Sequence, residues 1–133
     1  MSVDVYLSEG PLVDPAPEWA TDGAGGLLCF EGVVRPLEEQ RELEALDYEA
    51  YQPMAGNMLE KLGRRMVDEY GLIRFSVEHS FGRVPVGDRS LRVRIASKHR
   101  KEGLAAMDAF IDLLKKDVPI WKSPVWKDSC EQT

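Results

Sequence analysis

The feature that most constrains this chain is a change of hydrophobic period at Pro53. From there Met54, Met58, Leu62, Met66 and Tyr70 follow in steps of four, with Leu59 and Val67 beside them, and Gly71 closes the run. A proline needs no amide partner in a first helical turn, and a glycine accepts the left-handed backbone that ends a last turn, so this segment predicts an α-helix. On both sides the period falls to two. Leu46, Tyr48 and Ala50 alternate within Leu43–Tyr51 before the helix, and Ile73, Phe75 and Val77, then Leu91, Val93 and Ile95, alternate after it. Strands with one apolar face need a layer to cover it, and the helix supplies that layer.

The remaining elements follow from the same two periods. Val3, Val5 and Leu7 read as a half-buried strand. Residues 26–34 are largely apolar and β-prone, and Pro36 stops them near Arg35 because proline gives no donor to a sheet ladder. Between these two strands, Pro11, Pro15, Pro17, Gly23, Gly25 and Gly26 mark a connection, and Glu38 to Glu42 read as a charged loop. Another loop is expected around Gly82, Pro85 and Gly87. A second helix is expected from about Lys101 to Lys116, with Leu104, Met107, Ile111 and Leu114 on one face, ended by Asp117-Val118-Pro119. The order β, β, β, α, β, β, α predicts an α+β fold, a mainly antiparallel sheet with two principal helices, as one domain over residues 1–133.

Composition removes several classes of function. Apolar stretches such as Leu27-Leu28-Cys29-Phe30 are far short of the roughly 20 residues of a membrane-crossing helix. Asp4 and Glu9 stand where a secretory signal would carry basic and then apolar residues, so a cytoplasmic location is expected. A net charge of -6 argues against nucleic acid as partner, and any anion site must be local. Cys29 and Cys130 read as free thiols, Cys29 as a buried strand cysteine; with His79 and His99 they show no metal-ligand spacing, so neither metal nor cofactor is expected. Gly23, Gly25 and Gly26 lack the lysine, the hydroxyl and the following helix of a phosphate loop.

The cations suggest where an anion site would be. Lys98-His99-Arg100-Lys101 falls at a strand-to-helix junction, where the first amides and the helix dipole already make the potential positive. Positive side chains fit there if an anion such as phosphate sits among them, although a solvated basic loop has the same composition. Lys115 lies four residues after Ile111, beside the apolar stripe, whereas Lys116 falls on the exposed side within reach of Asp112. In Pro119-Ile120-Trp121-Lys122, two bulky neighbours would partly desolvate Lys122, the setting in which a lysine acts as acid, base or nucleophile; the alternative is a tail anchored by Trp121 with Lys122 in water. His79 shares the inward phase of Phe75 and Val77 and reads as a satisfied structural histidine.

Taken together, several segments resemble the large, catalytic subunit of molybdopterin synthase. They are Phe30-Glu31-Gly32-Val33-Val34-Arg35, Tyr48-Glu49-Ala50-Tyr51 leading into a Met-containing helix, His79-Ser80-Phe81-Gly82 with Val86-Gly87-Asp88, Ala96-Ser97-Lys98-His99-Arg100, and Leu114-Lys115 with Pro119-Ile120-Trp121-Lys122. The resemblance runs from about Gly26 to Lys122 and implies an α/β-hammerhead-like fold. It implies a sulfurtransferase that takes sulfur from the C-terminal Gly-Gly thiocarboxylate of a small ubiquitin-like partner and adds it to cyclic pyranopterin monophosphate, making the molybdopterin dithiolene. Arg35, His99 and Arg100 would then hold the anions, Lys115 and Lys122 would serve the chemistry, and Phe30 would line the pocket. The family is typically a homodimer within a heterotetramer. It usually continues beyond this point with another Trp and more basic residues, where this chain has Ser123-Pro124-Val125-Trp126-Lys127 and ends at Thr133, so Lys127 is a candidate for part of that role. Two other readings stay open, a noncatalytic module that binds an anion or a partner's tail, and a structural domain with cations scattered over its surface.

Overall fold

The computed structural model describes residues 3–19 and 21–127. Seven strands and two helices follow in the order β1 (Val3–Glu9), β2 (Gly26–Val33), β3 (Leu37–Glu38), β4 (Arg41–Ala50), α1 (Met54–Tyr70), β5 (Arg74–Pro85), β6 (Arg89–Ser97), α2 (Arg100–Asp117) and β7 (Ile120–Trp126). The sheet order is β2-β6-β5-β4-β3, with β1 beside β5 and β7 beside β4. All pairings are antiparallel except β1 with β5, so the expected α+β class with a mainly antiparallel sheet and two principal helices is what the chain forms.

Four details differ from the sequence reading. Strand β7 was not expected: it contains Pro124 and does not alternate cleanly, but it pairs only with β4 and so tolerates proline as an edge strand does. The charged loop at Glu38–Glu42 is a hairpin whose tip, Glu39 and Gln40, has positive φ of 52° and 66°. The expected loop at Gly82–Gly87 shrinks to a tight turn, because β5 runs on through Pro85 to pair with β4. The fourth is the packed face of α2, which consists of Gly103, Ala106, Met107, Phe110 and Leu114, leaving Leu104 exposed. Small residues at 103 and 106 bring the helix close and turn the contact face away from Leu104. A Cβ on Gly103 would strike Leu28 Cδ1 and lie 2.7 Å from Ser97 Oγ, so a larger residue there would have to displace both side chains for α2 to approach β2 and β6 this closely.

The sheet has two unlike faces. Val77, Phe75, Val93 and Ile95 on one face are fully buried under α1 and α2, and Phe75 meets Phe110 of α2 edge-on at 4.7 Å between ring centroids. Helix α1 contributes Ala55, Leu59, Leu62 and Met66, and ends at Gly71 (φ 65°), whose N–H bonds the Val67 carbonyl. Met54, first of the expected stripe, is exposed. A separate small cluster, Val34, Leu43, Leu46 and Val84 with Tyr48 and Trp126 against it, holds the β3–β4–β7 end.

The second face is ionic. Arg92, with no exposure, donates to Glu31 at 2.7 Å, to Glu78 at 3.1 Å and to the Val13 carbonyl. Arg89 completes Glu31, Arg94 completes Glu78, Arg74 pairs with Asp4, and Arg89 also reaches Asp14, so four arginines face four carboxylates. The connection after β1 crosses this face: Pro17 accepts from Arg94, and the Trp19 ring receives Arg74 and Arg94 at 4.7 and 5.3 Å. Cys29 lies in the same cross-strand row as Arg94 and is an exposed free thiol, correcting the expectation of a buried cysteine; Cys130 lies outside the described residues.

Two predictions follow from this ionic face. Replacing Arg92 by Met removes the shared partner of two part-buried carboxylates, and urea unfolding should show a loss of about 3 kcal/mol. Glu31 is held below its ordinary pKa by hydrogen bonds from Arg89 and Arg92, so its contribution is present above the unfolded-state value and is lost as pH falls through the folded value. The Glu31→Gln variant has already lost that contribution, and its stability should fall less steeply than that of the parent below about pH 4.

Candidate functional site

A cavity of about 700 Å³ opens where the two hydrophobic clusters meet. Leu91, Ile111 and Leu114 come to it from the larger cluster and Leu46 and Tyr48 from the smaller, while Ile120 and Lys122 enter from β7. Phe30, Arg35, Lys115 and Lys122 all line it. The helical phase inferred for Lys115 therefore leads to the wall of the cavity, one turn beyond Ile111, and β7 brings Lys122 to the same wall by pairing it with Tyr48. Phe30 is 40% exposed near the end of β2, and Arg35 follows the buried Val34 with its guanidinium 3.6 Å from Glu38.

Among the described residues neither Lys115 nor Lys122 is ion-paired, whereas the arginines of the opposite sheet face are. Both lysines are exposed, so Trp121, itself exposed, and Ile120 do not desolvate Lys122 as the sequence had suggested. Lys116 is exposed and, among the described residues, unpaired rather than bound to Asp112. Lys127 pairs with Glu42 at 4.0 Å, away from the cavity lining.

His99 and Arg100 do not join this cavity. They start α2, and Lys115 stands fifteen residues further along the same helix, about 22 Å at 1.5 Å per residue. One small substrate cannot touch both ends. The five cations that the family resemblance joins thus fall into two groups in one chain, Arg35, Lys115 and Lys122 at the cavity and His99 and Arg100 at the start of α2. The need for an anion at the helix start is met in part internally: Glu102 accepts from the His99 N–H at 3.0 Å, one arm of a capping box, and lies 3.6 Å from the His99 ring. Its carboxyl is held below the usual range first by its own backbone N–H and then by that of His99.

Three lining residues were missed or set aside in the sequence. Tyr48, His79 and Ser90 bring uncharged polar groups to the cavity. Tyr48 Oη lies 3.0 Å from Ser90 Oγ, and burial pushes the phenol pKa up, which keeps it protonated. The His79 ring meets Tyr48 edge-on at 5.3 Å. His79 has the inward phase expected of it, but its place in the sheet, opposite Leu91 in the row that continues to Gly32, brings it to the cavity. Sequence phase showed that it points inward and gave no sign of what lay above it.

Among the described residues no group of three His, Cys, Asp or Glu side chains is arranged to hold a metal ion, and no helix is long and apolar enough to cross a membrane.

Known proteins share this sequence pattern and fold. The sequence profile of the MoaE protein family matches residues 11–117. The molybdopterin synthase catalytic subunit of Dictyostelium discoideum is 36% identical over 112 residues, covering 83% of this chain and 71% of that one. That of Arabidopsis thaliana is 37% identical over 114 residues, covering 81% of this chain but only 58% of the longer relative. Among solved structures, molybdopterin synthase from Staphylococcus aureus matches with a TM-score of 0.80 at 28% identity, over 96% of this chain and 92% of that one. A chain in the complex of subunits 1 and 2 of the molybdopterin-converting factor of Helicobacter pylori matches with a TM-score of 0.71 at 22% identity, over 97% of this chain and 92% of that one, a likeness of fold. With a profile match across most of its length and relatives above 30% identity along more than 80% of it, the chain belongs to the family of MoaE proteins, the molybdopterin synthase catalytic subunits.

Proposed function

We propose that this chain transfers sulfur from the C-terminal thiocarboxylate of a small ubiquitin-like carrier ending in Gly-Gly to cyclic pyranopterin monophosphate, forming the molybdopterin dithiolene. The observation that carries the reading is the cavity in which Arg35, Lys115 and Lys122 converge on a protein of net charge -6. A phosphate and a thiocarboxylate repel each other, and bringing both to one pocket requires fixed cations; among the described residues Lys115 and Lys122 carry no ion pair, and Arg35 shares only an exposed 3.6 Å contact with Glu38 that a phosphate can displace. Arg35 suits the phosphate, since a guanidinium is planar and always charged. Lys115 and Lys122 are placed to stabilise the charge that moves as the carrier's acyl group gives up sulfur and leaves as a carboxylate, and to protonate a leaving oxygen. Phe30 offers an apolar wall to the pterin or the carrier tail. Both lysines are open to water in the isolated chain, so the carrier's tail supplies the enclosure that strengthens their fields.

His99 and Arg100 serve the anionic substrate from a second copy of the chain in a homodimer, the core of a heterotetramer with one carrier at each outer end. Two features support this. Their position is too far from Lys115 for one chain to use both, and β2 is the edge strand of the sheet. An antiparallel copy along that edge would set the Gly26 end of one β2, beside Ser97 and α2, against the Val33 end of the other, beside Arg35.

Changing Lys115 or Lys122 to Ala should abolish product formation from thiocarboxylated carrier and precursor while leaving the thermal melt unchanged. Near-normal turnover in either variant would sink the catalytic reading and leave the noncatalytic binding module. Co-expression of Lys115→Ala and Arg100→Ala chains tests the shared site: each variant alone should be inactive, and random pairing should restore about a quarter of the parent activity, because half the dimers then carry one intact site of two. Failure to recover would place Arg100 in the same chain's chemistry as Lys115, and full activity of Arg100→Ala alone would place it outside the chemistry.

A further inference from the structure

The cations of the cavity, Arg35, Lys115 and Lys122, only donate hydrogen bonds. Its carboxylates are paired with arginines, Glu31 with Arg89 and Arg92 on the ionic face and Glu38 with Arg35 at the cavity itself. A substrate that also carries N–H or O–H donors therefore needs a neutral acceptor. His79 lines the cavity, is 5% exposed, and directs Nδ1 at the Ser80 carbonyl, 2.8 Å away. A carbonyl only accepts, so Nδ1 carries the proton. Burial pushes the imidazole pKa down, which keeps the ring neutral near pH 7 and leaves Nε2 as a bare lone pair. Among the described residues no donor meets Nε2. The edge-on Tyr48 ring, tethered through its hydroxyl to Ser90, fixes the plane of the imidazole.

We propose that His79 Nε2 is the acceptor that receives an N–H or O–H donor of the heterocyclic substrate, orienting the ring while Arg35, Lys115 and Lys122 hold its anionic part. This rests on the reading of the cavity as the pyranopterin site. It separates two kinds of recognition within one pocket: charge holds the phosphate, and a neutral acceptor selects a ring that presents a donor to it.

Two substitutions divide the histidine's roles. Asn at 79 keeps an N–H near the Nδ1 position for the Ser80 carbonyl and removes the Nε2 acceptor, whereas Gln at 79 keeps an amide near the Nε2 position and gives up the Ser80 bond. His79→Asn should raise the KM for cyclic pyranopterin monophosphate about tenfold, with kcat changed much less and affinity for inorganic phosphate unchanged, and His79→Gln should stay within a few-fold of the parent. An unaltered KM in His79→Asn, or equal impairment of both variants with loss of phosphate binding, would overturn the assignment in favour of a purely structural histidine. The parent protein gives a readout that does not depend on variants folding. Its imidazole ¹⁵N spectrum at pH 7 should show an unprotonated Nε2 whose signal moves on adding the pyranopterin and not on adding inorganic phosphate; a signal indifferent to the pyranopterin overturns the proposal. If Lys115→Ala abolishes turnover while both His79 tests are negative, the cavity reading stands and the acceptor alone fails.

Discussion

The buried guanidinium of Arg92 sets the terms for the rest of the structure. A charge without solvent must be matched on every side, and here the matches come from three separate parts of the chain: Glu31 on β2, Glu78 on β5 and the backbone of Val13 in the first connection. The contact therefore fixes the order β2-β6-β5 from the ionic side while the apolar side is fixed by the helices. It also explains why a sheet with helices on one face alone remains covered on the other, since the connection after β1 is drawn across by Arg92 and Arg94 and capped by Trp19. Arg92 is matched at each of its three nitrogens, although Arg94 Nε and Trp19 Nε1 beside it have no hydrogen-bond partner, and the network admits few alternative registers, because a shift of one residue would put an arginine into the helix-facing core.

Register then decides what the cavity contains. Glu31 is held by Arg89 and Arg92, and its neighbours Phe30 and Gly32 reach the cavity with it. Gly32, Leu91 and His79 share one cross-strand row, and Tyr48 sits between Gly82 of β5 and Lys122 of β7. The close approach of α2 at Gly103 sets the height of that helix above the sheet and so the place where Lys115 leaves it. The site is thus assembled from an ionic register on one face, an apolar layer on the other, and a late strand that joins the smaller cluster.

Much of this was legible in the sequence where hydrophobic period is strong. Both helices, the strand at Phe75 and Val77, the strand at Val93 and Ile95 and the fold class followed from spacing, because burial on a single face repeats with the period of the element. What failed depended on neighbours. Leu104 was assigned to the core because its spacing fits, yet Gly103 and Ala106 rotate the contact face. Strand β7 was hidden by Pro124, which an edge position allows. Cys29 was judged by its apolar neighbours, but alternation sends it to the ionic face beside Arg94. Helical phase led to Lys115; Phe30 and Arg35 came from family resemblance alone, since nothing local says that residues at a strand end will face a helix far along the chain. The family resemblance joins His99 and Arg100 to the lysines, and the length of α2 separates them within one chain.

That separation bears on how an acidic protein handles acidic substrates. Negative charge spread over the surface keeps anions from adhering at random, while the cavity concentrates cations whose fields are screened only a few ångströms into solvent. A second cationic group at the far end of α2 would be wasted on the same substrate in a lone chain. In the proposed antiparallel pair it would lie where a strand edge runs out, and the symmetry that covered the open edge of β2 would also bring the two groups face to face. Within the cavity, and among the described residues, Lys115 and Lys122 have no carboxylate partner, whereas Glu31 and Glu38 pair with arginines. The two faces of the sheet thus divide the charges: the arginines of the ionic face take Glu31 and Glu78, while Lys115 and Lys122 stand at the cavity on the other side.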